Sequence, residues 1–172
     1  RGRQWPSRGW NWFKYKWPFI TTTHSAKWNC KIDWGQTPTG NSIKLCGFGD
    51  LYTKPKCGHV SHVMHGTSDR IVAINSGNRT ILKAYAYRNG EGGVTGTSDY
   101  IRKLGGVVDG KGFTVSINIT ENATYYTLDG GGADAKIKRK GRSLFRTHAW
   151  PHADDHNSDA SPSDIRIELE RL

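Results

Sequence analysis

The sequence predicts an all-β protein, a single-domain antiparallel β-sandwich or jelly roll with at most one short helix. Three observations indicate this class: several runs alternate apolar and polar residues, the chain has 21 glycines, and long polar connections separate the runs. At 172 residues the chain can bury roughly two-thirds of the surface that its unfolded form exposes. One domain that needs no disulfide scaffold is therefore expected.

Three runs show the strand pattern most clearly, 28–34, 113–120 and 165–170. In the first run, Trp28, Cys30, Ile32 and Trp34 alternate with polar residues, so one face is apolar and the other polar. Half-buried antiparallel strands are expected for all three. Shorter strand candidates lie at 42–46, 70–75, 80–87, 123–128 and 136–145.

One short helix is expected at 98–104, with Thr97 or Ser98 as its cap and Gly105 and Gly106 as its stop. The stretch 151–162 is rich in Asp, His, Asn and Ser and is expected to be an exposed loop before the last strand.

The N-terminal part of the chain has an unusual composition. Six of the seven tryptophans fall in the first 34 residues, interleaved with arginines and lysines. Indole rings can stack on unpaired bases while cations neutralise phosphates. Residues 1–20 are therefore interpreted as a basic, Trp-rich arm, and residues 21–172 as the β-sandwich domain. The candidate nucleic-acid-binding residues are Arg1, Arg3, Trp5, Arg8, Trp10, Trp12, Lys14, Lys16 and Trp17.

The same tryptophans have a simpler interpretation, which stays open. The arm tryptophans could cover a neighbouring surface of the same fold or of another subunit, and Trp28 and Trp34 are favoured as strand core.

The charge of the chain points to an anionic partner. Lysine and arginine number 25 against 15 acidic residues, which gives a net charge of +10 and a pI near 9.7. Nucleic acid, acidic glycans and anionic membrane surfaces all fit this charge. No apolar run approaches the length of a membrane span, and no cofactor or metal is predicted.

Three cysteines leave the thiol state open. Cys46 and Cys57 could close a short loop in an oxidising compartment, and Cys30 would then be buried or paired with another chain. Asn78, Asn118 and Asn122 fit the glycosylation pattern, which is weak support for secretion.

Two groups of histidines could carry chemistry. His59, His62 and His65 follow Cys57, but their spacing matches no zinc signature. His148 and His152, together with Arg146, are followed by several aspartates, and such a group could bind a divalent cation or support general base catalysis of phosphodiester cleavage. Pro151 argues against a helical pair of ligands, and a solvated loop would explain these residues without any function.

Two charged segments are expected at strand edges or on polar strand faces. Lys136, Lys138 and Arg139 lie in a basic run whose cations fall on both faces, which predicts an edge strand or a protruding loop and, alternatively, a second phosphate-contact patch. Glu168 and Glu170 share the polar face of the last strand, where surface ion pairs are expected.

Several stretches resemble the coat proteins of small circular single-stranded DNA viruses, such as circoviruses, nanoviruses and geminiviruses. The resemblance lies in the Arg/Trp-rich start and in residues 21–28, 31–33, 93–97, 100–105, 119–123 and 165–169, under a third of the chain. It implies a jelly roll that self-assembles into an icosahedral shell around its genome.

The leading functional expectation is therefore a structural capsid subunit, located in the virion, that self-associates and packages single-stranded nucleic acid. Two alternatives stay open. One is a secreted basic nuclease or toxin domain that uses His148 and His152, and the other is a carbohydrate-binding β-sandwich whose tryptophans stack on sugars.

Overall fold

The computed structural model describes residues 24–49, 68–88, 91–92, 100–130, 134–139, 146–154 and 165–172. These residues form eleven strands and no helix. The strands are β1 (His24–Asp33), β2 (Ser42–Gly49), β3 (Ser68–Asn75), β4 (Arg79–Arg88), β5 (Glu91–Gly92), β6 (Ile101–Val108), β7 (Phe113–Ile119), β8 (Ala123–Leu128), β9 (Ala135–Lys138), β10 (Arg146–Asp154) and β11 (Arg166–Arg171).

The strands form two antiparallel sheets. The five-stranded sheet has the order β11-β1-β7-β8-β9, and the six-stranded sheet has the order β10-β2-β3-β4-β5, with β6 also paired to β4. The predicted class, an all-β sandwich of jelly-roll type, is confirmed.

The period-two pattern determines which residues enter the core. Trp28 and Cys30 on β1 pair with Val115 and Phe113 on β7, and all four side chains are buried. Residues directly opposite each other project from the same face of a sheet, so the apolar halves of the two strands form one continuous inner face. Trp34, which follows β1, is also buried. The core interpretation of Trp28 and Trp34 is thus confirmed.

Contacts between the inner faces join the two sheets. The rings of Trp28 and Phe48 meet edge to face, with centroids 5.9 Å apart. Trp34 Nε1 donates a hydrogen bond of 2.8 Å to Thr80 Oγ1 in the buried interior. Aromatic rings and paired polar groups therefore both hold β1 against the six-stranded sheet.

The prediction of a helix at 98–104 is wrong for residues 101–104, which form the start of β6. Gly105 and Gly106 do not stop a helix but lie inside this strand, opposite Leu82 and Ile81 of β4. A Cβ atom on Gly105 would lie 2.8 Å from Leu128 Cδ2, so a larger residue there would require the end of the Leu128 side chain to shift.

The predicted start of the loop at residue 151 is too early in the sequence, because β10 continues through Pro151 to Asp154. Proline cannot donate a ladder hydrogen bond, but it is tolerated on edge strands and at bulges. Both conditions hold here, since β10 is an edge strand and its register with β2 shifts between Ala149 and His152.

Candidate functional site

The outer face of the six-stranded sheet carries a row of lysines. Strand registers align Lys44 of β2, Val72 of β3, Lys83 of β4 and Lys103 of β6 across the sheet. Lys44 and Lys83 are half-buried and Lys103 is exposed. Since adjacent strands lie about 4.8 Å apart, Lys44 and Lys83 are about 10 Å apart at the backbone. The row therefore presents cations at intervals along a line that crosses the strands.

The next row of the same face contains an arginine and an aromatic ring. Arg70 of β3 lies between Gly47 of β2 and Tyr85 of β4. The guanidinium carbon of Arg70 is 5.1 Å from the centroid of the Tyr85 ring, a cation–π arrangement. Arg70 is only 1% exposed, whereas Tyr85 is half-buried. Arg70 therefore orients the Tyr85 ring, and the ring is the more accessible of the two.

Gly47 permits the close approach of β2 to Arg70. A Cβ atom at Gly47 would lie 2.7 Å from Arg70 Cα, a backbone atom that cannot move aside like a side-chain tip. Position 47 therefore requires glycine if Arg70 is to stay where it contacts Tyr85.

The described outer side chains of β2, β3, β4 and β6 include no aspartate or glutamate. Those that carry charge are all cationic: Lys44, Arg70, Arg79, Lys83 and Lys103. The acidic residue of this part of the sheet, Asp69, lies on the inner face and is fully buried. The outer cations of these four strands that are half-buried or exposed, Lys44, Arg79, Lys83 and Lys103, thus attract anions.

The outer face of the five-stranded sheet differs in charge. There Lys31 Nζ is 3.9 Å from Glu168 Oε1, and Arg166 Nη2 is 2.9 Å from the same carboxylate oxygen. Asn29 Nδ2 donates a hydrogen bond of 3.5 Å to Glu170. The expected ion pairs of the last strand are confirmed, and they place carboxylates beside the cations where β1 pairs with β11.

β9 is the edge strand that the basic run predicts. Lys136 and Lys138 are exposed while Ala135 and Ile137 are buried. Arg139 is buried and donates a hydrogen bond of 2.6 Å to the carbonyl of Thr120. These contacts support a structural role for the run, in protecting and anchoring the sheet edge.

The arm residues Arg1 through Trp17 and the histidines His59, His62 and His65 lie outside the described residues. The predicted catalytic residues lie on β10, where Arg146, His148 and His152 pair with Gly49, Gly47 and Lys44. By register, β10 forms the edge of the sheet beside the lysine row. The structure describes no side chain of β10, so the catalytic hypothesis for these residues stays a prediction.

The structure describes two of the three cysteines whose thiol state the sequence left open. Cys30 and Cys46 are both free and buried. Burial, followed by the neighbouring Cys30 thiol, raises the pKa of Cys46 well above its usual value. Cys57, the partner suggested for Cys46 by the sequence, lies outside the described residues.

Within the described ranges no three His, Cys, Asp or Glu side chains are arranged to hold a metal ion. The described part of the chain also has no helix of the length and apolar character that a membrane crossing requires.

The sequence analysis missed the outer face of the six-stranded sheet. Lys44, Arg70, Lys83 and Tyr85 occupy polar positions of strands that the sequence did predict, at 42–46, 70–75 and 80–87, whereas Lys103 lies where a helix was expected. The signal was present, because Lys83 and Tyr85 alternate with Leu82, Ala84 and Ala86. What the sequence lacked was the strand order, which brings these positions together on one face.

No known protein-family model matches the chain, and no curated protein matches it. Similar folds occur among solved structures. The alginate lyase AlyA1 from Zobellia galactanivorans has a TM-score of 0.57 and 12% identity over 89% of this chain and 63% of its own. A family 7 alginate lyase in complex with the substrate GGMG has a TM-score of 0.51 and 15% identity over 99% of this chain and 63% of its own.

A glycosidic hydrolase is similar at a TM-score of 0.51 and 14% identity, over 90% of this chain and 65% of its own. The chain thus spans slightly less than two-thirds of each of these three proteins. At such low identity the likeness demonstrates the jelly-roll fold.

The expected function of a capsid subunit is wrong. The solved structures named above are alginate lyases and a glycosidic hydrolase, and no viral coat protein is among these neighbours. The physical reason is that a jelly roll is a scaffold shared by many functions, so short stretches that resemble coat strands reflect strand and turn chemistry. Nucleic-acid binding by the arm and self-association stay predictions, as does the alternative of a secreted or extracellular location.

Proposed function

We propose that this protein is a carbohydrate-binding β-sandwich that holds an acidic polysaccharide on the outer face of the six-stranded sheet. The observation that carries the proposal is the sign of the charge there. Lys44, Lys83 and Lys103 lie in one row across three strands, and the exposed Arg79 adds a further cation to the outer face of β4. A chain of carboxylated sugars matches that row.

The Tyr85 ring supplies the second part of the site. Sugar rings have apolar faces that pack on aromatic side chains, and Tyr85 lies one row away from the lysines on the same face. Arg70 holds the ring through its cation–π contact. The lysines would bind the carboxylates, and the tyrosine would bind the body of the sugar.

The fold is consistent with this role, since the alginate lyases and the glycosidic hydrolase named above are proteins of the same architecture that act on polysaccharides. Fold likeness at this identity carries no residue roles. The assignment of binding to Lys44, Lys83, Lys103 and Tyr85 therefore rests on the registers and charges of this chain.

The nuclease alternative has no comparable support in the described residues. It depends on His148, His152 and Arg146, whose side chains are not described, and it stays a prediction that RNA or DNA cleavage assays can test with the variant His148→Ala.

Two charge-matched double variants test the proposal. One carries Lys44→Gln and Lys83→Gln on the proposed face. The control carries Lys27→Gln on β1 and Lys111→Gln before β7, two exposed lysines elsewhere in the molecule. Both variants lose the same net charge, so a general attraction to polyanions would weaken equally in both.

Binding is measured by calorimetry with alginate, with an uncharged glucan and with a single-stranded oligonucleotide. We expect the first double variant to lose about tenfold in affinity for alginate, because each partly desolvated ion pair contributes up to about 1 kcal/mol. The control is expected to bind within about twofold of the wild type. Equal losses in both variants, or no binding of alginate by the wild type, would contradict the proposal.

A further inference from the structure

Two thiols meet across the core of the sandwich. Cys30 projects from β1 in the five-stranded sheet, and Cys46 projects from β2 in the six-stranded sheet. They are 3% and 0% exposed, and Cys30 Sγ donates a hydrogen bond of 3.8 Å to the carbonyl of Trp28 on its own strand.

An independent contact fixes this juxtaposition. Trp28 and Phe48 meet edge to face across the same core, with ring centroids 5.9 Å apart. Cys30 is two residues after Trp28 on β1, and Cys46 is two residues before Phe48 on β2. Side chains two residues apart on a strand share a face. Moving two residues forward from Trp28 along β1 and two residues back from Phe48 along β2 therefore leads from the aromatic contact to the two cysteines, which face each other across the core.

We propose that Cys30 and Cys46 form an inter-sheet disulfide when the chain folds in an oxidising compartment. Immunoglobulin domains show that a β-sandwich core accommodates a bond of this kind between its two sheets. The pairing differs from the Cys46–Cys57 loop that the spacing of the cysteines suggests. It places the cross-link in the core, beside Trp28, and leaves Cys57 as the third thiol.

The oxidant in this reaction is a low-molecular-weight disulfide such as oxidised glutathione, which accepts the electrons that the two thiols lose. The thiolate of one cysteine attacks a glutathione sulfur, and one reduced glutathione leaves. The thiolate of the second cysteine then attacks the protein sulfur of the mixed disulfide, the S–S bond between Cys30 and Cys46 forms, and the second glutathione leaves. The protein loses two electrons and two protons, and the oxidised glutathione gains them.

Burial of both thiols determines when this chemistry occurs. Reagents in solution do not reach side chains that are 3% and 0% exposed in the folded protein, so the bond should form during folding, before the sheets close. In the folded and reduced protein, oxidation should be slow.

The bond should raise the melting temperature. Cys30 and Cys46 are separated by the 15 residues 31–45. Closing a loop of that length removes conformational entropy from the unfolded chain, and we expect the melting temperature to rise by roughly 6–12 °C relative to the reduced protein.

The variant Cys57→Ser provides the sharpest test, since Cys30 and Cys46 are then the remaining cysteines of the chain. The reduced, unfolded variant is refolded in a glutathione buffer with excess of the oxidised form, and its thiols are titrated after denaturation. We expect a monomer on a non-reducing gel, no titratable thiol and the rise in melting temperature. Two free thiols, a disulfide-linked dimer or stable glutathione adducts would overturn the proposal.

Wild-type protein refolded in the same buffer gives a second readout that does not depend on a variant. After proteolysis without reductant, mass spectrometry should find the peptides of Cys30 and Cys46 joined, with Cys57 free or bearing glutathione. A cross-link between Cys46 and Cys57, or between Cys30 and Cys57, would overturn the pairing.

Discussion

The hydroxyl of Tyr126 on β8 donates a hydrogen bond of 2.7 Å to Oδ1 of Asp69 on β3, and both side chains are fully buried. The bond joins the two sheets through the core. It also explains how an acidic side chain is accommodated on the inner face of β3, directly next to Arg70 in the sequence. Buried polar groups need such partners, because an unmet donor or acceptor costs free energy.

Replacing this hydroxyl should destabilise the fold. The variant Tyr126→Phe keeps the ring but removes one donor to a buried carboxylate, and we expect it to lower the free energy of unfolding by about 1.5–3 kcal/mol. Urea denaturation measures the change. Tyr125→Phe is the matched control, since Tyr125 lies on the outer face of the same strand, and its effect should stay within about 0.5 kcal/mol. Equal effects of the two substitutions would show that the bond to Asp69 contributes nothing.

A methyl group at Gly47 should separate β2 from β3. Because the added Cβ would lie 2.7 Å from Arg70 Cα, Gly47→Ala is expected to lower the free energy of unfolding by about 1–3 kcal/mol or more. It should also weaken alginate binding, since Arg70 orients Tyr85.

The control for this variant is Gly112→Ala. There the nearest atom to an added Cβ is the carbonyl oxygen of Cys30 at 3.9 Å, an ordinary contact distance. Denaturation and calorimetry are expected to find Gly112→Ala close to the wild type. A Gly47→Ala protein as stable as Gly112→Ala would contradict the close approach at Arg70.

Tyr85 should contribute to binding through its ring. Tyr85→Ala removes the surface on which a sugar would pack and is expected to lower the affinity for alginate by about tenfold, whereas Tyr85→Phe should retain most of it. Tyr125→Ala, on the outer face of the other sheet beside Lys136, serves as the control. Calorimetry that found Tyr85→Ala and Tyr125→Ala equally impaired would argue against the proposed face.

The buried thiol of Cys46 predicts a loss of stability at high pH in the reduced protein. Its pKa is raised above the usual 9.0 by burial. Above that value the thiol ionises in the unfolded chain but stays protonated in the folded one, so unfolding becomes more favourable. The stability that the protonated, buried thiol contributes is fully present below about pH 9 and is lost as pH rises toward the raised pKa. Over that range the free energy of unfolding falls by up to about 1.4 kcal/mol per pH unit.

Urea denaturation with excess reductant, at about pH 8 and about pH 10, measures this slope. Cys46→Ala is the comparison: it lowers stability at every pH through lost packing, but the part of the slope due to the thiol should disappear. The same slope in both proteins would show that the thiol ionises as readily when folded.

The alternation of Trp28, Cys30, Ile32 and Trp34 was sufficient to predict a strand and its buried face, because that information is local. Strands such as β6 could not be predicted in the same way. Gly105 and Gly106 have no side chain to show alternation, and their role depends on Leu128 and Ile81, which come from other strands.

The candidate site illustrates the same limit. Lys44, Lys83 and Lys103 are separated in the sequence and become one row only through the pairing of β2, β3, β4 and β6. The tryptophans of residues 1–20 drew the functional interpretation toward nucleic acid because they stand out by composition. Spacing also suggested Cys57 as the partner of Cys46, whereas the burial of Cys30 and Cys46 in one core depends on how the two sheets pack.

The most direct measurement is a map of where an acidic oligosaccharide binds. Amide chemical shifts of the protein are followed by nuclear magnetic resonance as alginate oligosaccharides are added. The account predicts that the perturbed amides cluster around Lys44, Arg70, Lys83, Tyr85 and Lys103, while those of β1, β7 and β8 stay unchanged. Perturbations confined to the five-stranded sheet or to residues 1–20, with the six-stranded sheet unaffected, would contradict it.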